Sequence, residues 1–305
     1  MFKSRATSVV LTLTASFIFA NLSNATSAWP HSKKTVLAIQ VCQTSSPKVA
    51  NQTPEQNTAK PETAMKSVQI FLDVDADVLI QNSDGRRIGL DFKSKKFVNE
   101  IPEARVVSRE TSATYVLPFD KSGKPYTVTL SGKSATKVDA DLSMTGPGFV
   151  VGFRSVPLTS GQVQTVSIAS NGLHLSFTAN QEGPTPQLFL TAQSGRGNPS
   201  YRFEVASSLL KTRKTITVDL DTDNGRLYFR TDDEKTHGFT VKMRRTNPGG
   251  TRDTFAHQDI SFGKTNSYVM GFGQWDGKSE MCFYEVCENC KDNPCTKLKN
   301  ESSAQ

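Results

Sequence analysis

Thr215-Ile216-Thr217-Val218-Asp219-Leu220-Asp221-Thr222-Asp223-Asn224-Gly225-Arg226-Leu227-Tyr228-Phe229 is the stretch on which the reading of the fold turns. Its first six residues alternate polar with apolar. In an extended chain successive side chains point to opposite faces, so one face is buried and the other wet. Asn224-Gly225 then supplies the residue types that best tolerate positive φ, and a second apolar run follows, which predicts a β-hairpin. The same alternation recurs in His174–Thr178, Leu188–Thr191 and Tyr201–Val205. Upstream, Val68–Phe71, Val78–Gln81, Arg105–Ser108, Thr114–Pro118 and Tyr126–Leu130 read as strands around the turn residues Asn82-Ser83-Asp84-Gly85 and Asp120-Lys121-Ser122-Gly123. Downstream, Asn247-Pro248-Gly249-Gly250 joins Gly238–Arg245 to Asp253–Phe262 in a further expected hairpin. Short strands punctuated by turn chemistry at such regular intervals predict an antiparallel sandwich or barrel.

The amino end has a different character. Lys3 and Arg5 precede an apolar run from Val9 to Ala20, followed by small residues at Asn24-Ala25-Thr26-Ser27-Ala28. The run is too short to span a bilayer, and the pattern reads as a cleaved export signal over residues 1–28. No later stretch is apolar enough to cross a membrane. Residues 29–66, rich in Thr, Ser, Pro and Gln, offer little to bury against their ordering entropy and read as a flexible linker. The net charge of +7 falls by the two charges of Lys3 and Arg5 to +5 without that segment. Such an excess favours anionic neighbours and solubility.

Chemistry concentrates in a few places. Cys282, Cys287, Cys290 and Cys295 form a C-x4-C-x2-C-x4-C run. In an exported chain they are disulfide candidates with three possible connectivities, while four thiolates would also suit a structural zinc. Cys42 is the odd one out. Asp219, Asp221 and Asp223 have the oxygen chemistry of a calcium site, as do Asp73, Asp75 and Asp77, yet neither run has the Gly and Glu spacing of a helical calcium loop. Alternating Asp on a strand also simply marks the wet face. The two runs form a faint internal echo.

Basic residues cluster at Arg86-Arg87, at Lys93, Lys95 and Lys96, at Lys211-Arg213-Lys214, and at Lys242, Arg244 and Arg245. Two clusters sharing a face would make an anion-binding patch, whereas Lys on an edge strand blunts unwanted pairing. Trp275 and Asp276 lie in Gly271-Phe272-Gly273-Gln274-Trp275-Asp276-Gly277, where the ring is either displayed for ligand stacking or folded into the core. Four histidines, His31, His174, His237 and His257, accompany no hydrolase or phosphate-loop motif, and no catalytic residue is assigned. A triad assembled in space is the hydrolase alternative.

Asp84-Gly85-Arg86-Arg87-Ile88-Gly89, then Val98–Ala104, then Tyr126–Gly132 resemble the Ig-like β-sandwich modules of uncharacterised bacterial exported proteins over residues 67–150. The resemblance implies a sandwich and an envelope or extracellular setting, and no catalytic residues. The expected fold class is therefore mainly β, with tandem antiparallel Ig-like β-sandwich modules at 67–156 and 157–280, divided at Val156–Gly161, and a short Cys-rich tail at 281–305. The expected function is that of a secreted, non-enzymatic binding or accessory protein. Its partner would be extracellular or in the cell envelope, an anionic polymer or carbohydrate, with neither nucleic acid nor a cofactor other than calcium. A self-associating structural envelope component is a further alternative.

Overall fold

The structure, a computed structural model, describes residues 67–109, 112–193, 198–233, 238–261, 267–278, 280–286 and 295–302. The expected signal and linker, Cys42, Cys287, Cys290, His31 and His237 lie outside the described residues. Among the described residues there is no α-helix, and so none long and apolar enough to cross a membrane.

The chain forms strands β1 Ser67–Leu72, β2 Ala76–Gln81, β3 Arg87–Asp91, β4 Lys96–Asn99 and β5 Arg105–Arg109. Next come β6 Ser112–Pro118, β7 Pro125–Gly132, β8 Val138–Gly146, β9 Phe149–Leu158 and β10 Val163–Ala169. They are followed by β11 His174–Thr178, β12 Gln187–Gln193, β13 Ser200–Ser207, β14 Thr215–Asp221 and β15 Arg226–Thr231. The last are β16 Phe239–Thr246, β17 Arg252–Ile260, β18 Ser267–Gly271, β19 Met281–Glu285 and β20 Thr296–Leu298. Two sheets result, one of nine strands in the order β17-β16-β13-β12-β9-β8-β1-β6-β5 and one of eleven in the order β20-β19-β18-β15-β14-β11-β10-β7-β2-β3-β4. All the strand ladders are antiparallel, as the turn chemistry implies.

Alternation writes the core. Across the nine-stranded sheet, Tyr115, Ile70, Met144, Val151, Leu190, Phe203, Met243 and Phe255 stand directly beside one another, and all are buried. Tyr126, Ile168, Leu175, Val218, Phe229 and Tyr268 form the matching row of the other sheet. The rows meet through their rings: Phe229 lies 5.1 Å from Phe239 of the facing sheet, and Phe255 lies 5.8 Å from Phe283. This is sandwich packing, with the two inner faces interdigitated.

The connections depart from a string of simple hairpins. Asp120–Gly123 carries the chain from β6 in one sheet to β7 in the other, so this turn is a crossover. From β8 onward a regular unit emerges, with a hairpin in one sheet followed by a hairpin in the other. β8–β9 is followed by β10–β11, β12–β13 by β14–β15, and β16–β17 by β18–β19, each hairpin joining the previous one of its own sheet. A four-strand unit therefore recurs from Val138, Gln187 and Phe239. The aspartate runs are no part of it: Asp73–Asp77 spans the passage from β1 to β2, whereas Asp219 and Asp221 stand within β14. Val156–Leu158 complete β9, and hydrogen bonding continues past them through β9–β12 in one sheet and β7–β10 in the other.

The carboxyl end closes one side. A Cys282–Cys295 disulfide joins β19 to the residue preceding β20. The chain then crosses to the edge strand β17. There Glu301 N donates to Ala256 O, Ala256 N to Asn300 Oδ1, Gln258 N to Glu301 Oε2 and Asn300 Nδ2 to Thr254 O. Backbone groups of a sheet edge are thus satisfied by one backbone bond and several side-chain bonds instead of by another strand.

Replacing both cysteines, Cys282→Ser with Cys295→Ser, is expected to lower the unfolding free energy by about 3 kcal/mol for a closed loop of this length. Urea titration against the oxidised parent measures it, and an unchanged midpoint would mean that β19–β20 pairing holds the tail unaided. Phe229→Ala removes a ring that touches both sheets and should cost about 3–5 kcal/mol, read in the same titration.

Candidate functional site

Strand β16 divides the basic run of the sequence. Lys242 and Arg244 share a face, and Met243 and Arg245 share the opposite one, because side chains alternate. Met243 is fully buried, so Lys242 and Arg244 point outward and Arg245 inward.

The inward arginine is a structural lock. Its Nε and Nη2 donate to Asp253 Oδ2 at 3.1 and 2.8 Å, and its Nη1 and Nη2 donate to the carbonyls of Trp275 and Asp276 at 2.5 and 3.3 Å. The guanidinium also stands 5.5 Å from the Trp275 ring. Trp275 is only 5 % exposed and packs edge-on against Phe255, so of its two readings the core one describes the ring. Gly277 adopts φ +92°, a conformation that favours glycine, and packs where a Cβ would come within 2.7 Å of Arg245 Nη2. The Asp276 carboxylate accepts from Lys278 N at 2.8 Å. Arg245, Trp275 and Asp276 therefore tie the glycine-rich loop to the end of the nine-stranded sheet.

The outward face is different. Register places Val150, Thr191, Arg202, Arg244 and Thr254 in one row across β9, β12, β13, β16 and β17. Gly152, Phe189, Glu204, Lys242 and Ala256 form the next, with Arg154 opposite Gln187 on one flank and Arg252 opposite Thr246 on the other. Arg202 is thus directly opposite Arg244, a like-charge pair that costs a sheet stability. Glu204 is the one carboxylate of these rows. It accepts from Arg202 Nε at 3.0 Å, Gln187 Nε2 at 3.3 Å and Arg154 Nη1 at 3.4 Å. Arg154 and Arg202 each stand 5.3 Å from the Phe189 ring centroid, which holds both guanidinium planes in place. Lys242, Arg244 and Arg252 make no ion pair among the described residues. Sequence reasoning reached Lys242 and Arg244 from their spacing. It missed Arg154, Arg202, Arg252 and Phe189, which are isolated in the chain and gathered only by strand order.

The other basic cluster lies elsewhere. Lys93 and Lys95 occupy the turn between β3 and β4, and Lys96 opens β4, the edge of the eleven-stranded sheet. The two clusters belong to different sheets and share no face.

The calcium candidates do not converge. Asp219 faces His174 at 2.5 Å and Arg230 at 3.9 Å, while Asp221 accepts from Asn224 N and Nδ2 at 3.0 and 2.8 Å. Among the described residues no group of three His, Cys, Asp or Glu could hold a metal ion. His174 with Asp219 reproduces the base and orienting acid of a triad, but among the described residues no hydroxyl hydrogen-bonds to that histidine. Clefts open on the surface of the described residues. One, of about 320 Å³, is lined by Asp84, Arg86, Glu103, Asp120, Lys124 and Tyr126 among others. Another, of about 410 Å³, lies beside Phe92, Lys95 and Lys133.

Arg245→Ala should shift Trp275 emission to the red and destabilise the chain by about 2 kcal/mol, the scale of lost charge-assisted hydrogen bonds. The Asp253 carboxyl is held below the usual range by its hydrogen bond from Arg245 first and that from Asn247 second. Its stabilising contribution is therefore present above the unfolded value, about pH 4, and is lost as pH falls through the lowered folded value. Melting curves across the acid range should fall more steeply for the parent than for Asp253→Asn, and parallel curves would remove this linkage. No protein-family model, no curated protein and no solved structure matches the chain.

Proposed function

We propose that this is an exported, non-catalytic binding protein that holds an extended anionic polymer, such as an acidic polysaccharide, across the outer face of its nine-stranded sheet. The observation that carries the reading is the row in which Arg202 stands opposite Arg244, flanked by Lys242 and Arg252, with Glu204 as the sole carboxylate. A folded chain keeps such a pair at a cost. An anion lying between the two guanidinium groups would turn that cost into attraction, and planar guanidinium groups suit carboxylate and sulfate alike. The Phe189 ring orders two of the arginines before any ligand arrives, which lowers the entropy lost on binding.

Export is supported by the amino-terminal pattern and by the cysteine pairing at the carboxyl end. In this reading residues 67–156 and 157–280 are two Ig-like modules whose sheets have merged edge to edge, giving a face broader than either module could offer. A broad sheet face suits an extended polymer better than a small molecule, which wants concavity.

Titration calorimetry with polygalacturonate, heparin and neutral dextran tests the reading. Both polyanions should bind at low salt, dextran should not, and raised ionic strength should abolish binding as exposed charges are screened. Arg202→Ser with Lys242→Ser and Arg244→Ser should weaken polyanion binding by at least roughly tenfold. The control Lys121→Ser with Lys124→Ser and Lys137→Ser removes the same net charge elsewhere. Equal weakening in both variants would reduce the effect to overall charge and end the proposal.

A further inference from the structure

The β3–β4 hairpin presents a surface that neither the core nor the basic face explains. Its tip reads Phe92-Lys93-Ser94-Lys95-Lys96-Phe97. Lys93, Lys95 and Lys96 are exposed and make no ion pair among the described residues. The acids that could have neutralised them are engaged with Arg87: Asp91 lies 3.5 Å from its guanidinium and Glu100 2.9 Å. Asp91 also accepts from Lys93 N and Ser94 Oγ, which holds the turn closed.

Phe97 is 59 % exposed, the most exposed large apolar side chain of the described residues. It stands opposite Leu90, on the face of the sheet that carries the fully buried Ile88. The core face of the eleven-stranded sheet thus runs out from under its partner sheet at β4. Edge protection accounts for Lys96, which lies in the edge strand. It does not account for Phe97, which makes an edge more adhesive, or for Lys93 and Lys95, which lie in the turn.

Three cations and an aromatic ring within five residues at an exposed hairpin tip suit one environment, the boundary of an anionic bilayer. There an apolar ring enters the acyl border while long basic side chains reach back to the phosphates. We propose that the Phe92–Phe97 tip is a docking site for a membrane surface rich in anionic phospholipid. The cleft of about 410 Å³ beside it fits the same ligand. Its lining includes Lys95, Ser131 and Ser160 for a phosphate and its ester oxygens, and Phe92 for the adjoining carbons. Lys133, also in the lining, is already engaged, its Nζ donating to Asp75 Oδ1 at 2.7 Å with the lining carboxylate Asp77 3.8 Å away. This site is independent of the polyanion face, from which it is separated by strand order and sheet.

The test is cosedimentation of the full chain with vesicles of phosphatidylcholine alone and of phosphatidylcholine with roughly one-third phosphatidylglycerol. The parent should sediment with the anionic vesicles only. With about 1 kcal/mol for each basic residue at such a surface, Lys93→Glu with Lys95→Glu and Lys96→Glu should weaken partitioning by about a hundredfold or more. Phe97→Ser should weaken it by about tenfold. Both variants should keep the parental melting temperature and polygalacturonate affinity, and the Arg202, Lys242 and Arg244 variant should keep parental vesicle binding. In Phe97→Trp, emission corrected for the parent's own tryptophans should shift to the blue on anionic vesicles. Absence of vesicle binding, binding lost in the sheet-face variant instead of the hairpin variants, or an unmoved Phe97→Trp emission would each overturn the proposal, whatever the outcome for polygalacturonate.

Discussion

Phe229 lies 5.1 Å from Phe239 of the facing sheet and 5.7 Å from Tyr268 of its own, and none of the three can leave that contact without carrying its strand along. A strand that slips by one residue sends every side chain to the opposite face. The ring cluster thus fixes which residues of β14 to β18 are wet. It is the reason two adjacent arginines lead separate lives: Arg244 looks outward from β16, while Arg245 looks into the end of the sandwich and holds the loop around Trp275. A slip of β16 would bury Arg244 and expose Met243, exchanging a solvated cation for a desolvated one. The inner rows therefore determine the electrostatics of the outer ones.

The outer rows then show what the fold tolerates in return. Glu204 is largely buried among Arg154, Arg202 and Gln187, so its charge is consumed locally. Among the described residues Arg244 and Arg252 make no ion pair with it, and neither does Lys242, although Lys242 stands opposite it in the register. A sheet face selected for stability alone would place Thr or an acid opposite Arg202, because cross-strand pairs are the unit of sheet stabilisation. High dielectric at the surface keeps the cost small without removing it. A small cost retained at one face is the kind of local inconsistency that function commonly explains.

Strands with clean alternation were legible from sequence, and β11 coincides with its expected bounds, His174–Thr178. β8 and β9 were not, for a physical reason. Gly146-Pro147-Gly148 breaks the run, and Gly152 stands mid-strand where a Cβ would lie 2.0 Å from Leu142 O, so the apolar pattern lapses where the backbones approach most closely. β3 and β4, of five and four residues beside and at a sheet edge, are too short to show an alternation and were not among the expected strands. The four-strand repeat was invisible because its period lies in hairpin order and sheet assignment, whereas the aspartate echo was local resemblance alone. In the candidate site, the β16 cations were legible as a spacing. Their neighbours on β9, β13 and β17 were not, since adjacency between strands distant in sequence is decided by topology. The fate of Trp275 turned on partners in β16 and β17 that no local pattern names.

The two sides of the sandwich handle their open edges by unlike means. β17 is a long edge strand with Ala256 and Phe255 at its centre, and Asn300 and Glu301 use backbone and side chain together to pair with it. That arrangement satisfies the edge without extending the sheet, which stops the hairpin repeat from recruiting another hairpin. β4 is short and relies on charge. Charge repels a like edge, but it attracts whatever carries the opposite sign, and Phe97 gives such a partner an apolar contact. A capped edge ends a sheet, whereas a charged edge with an exposed ring only narrows the choice of partner, and this asymmetry makes the β4 side the one through which the fold meets a surface.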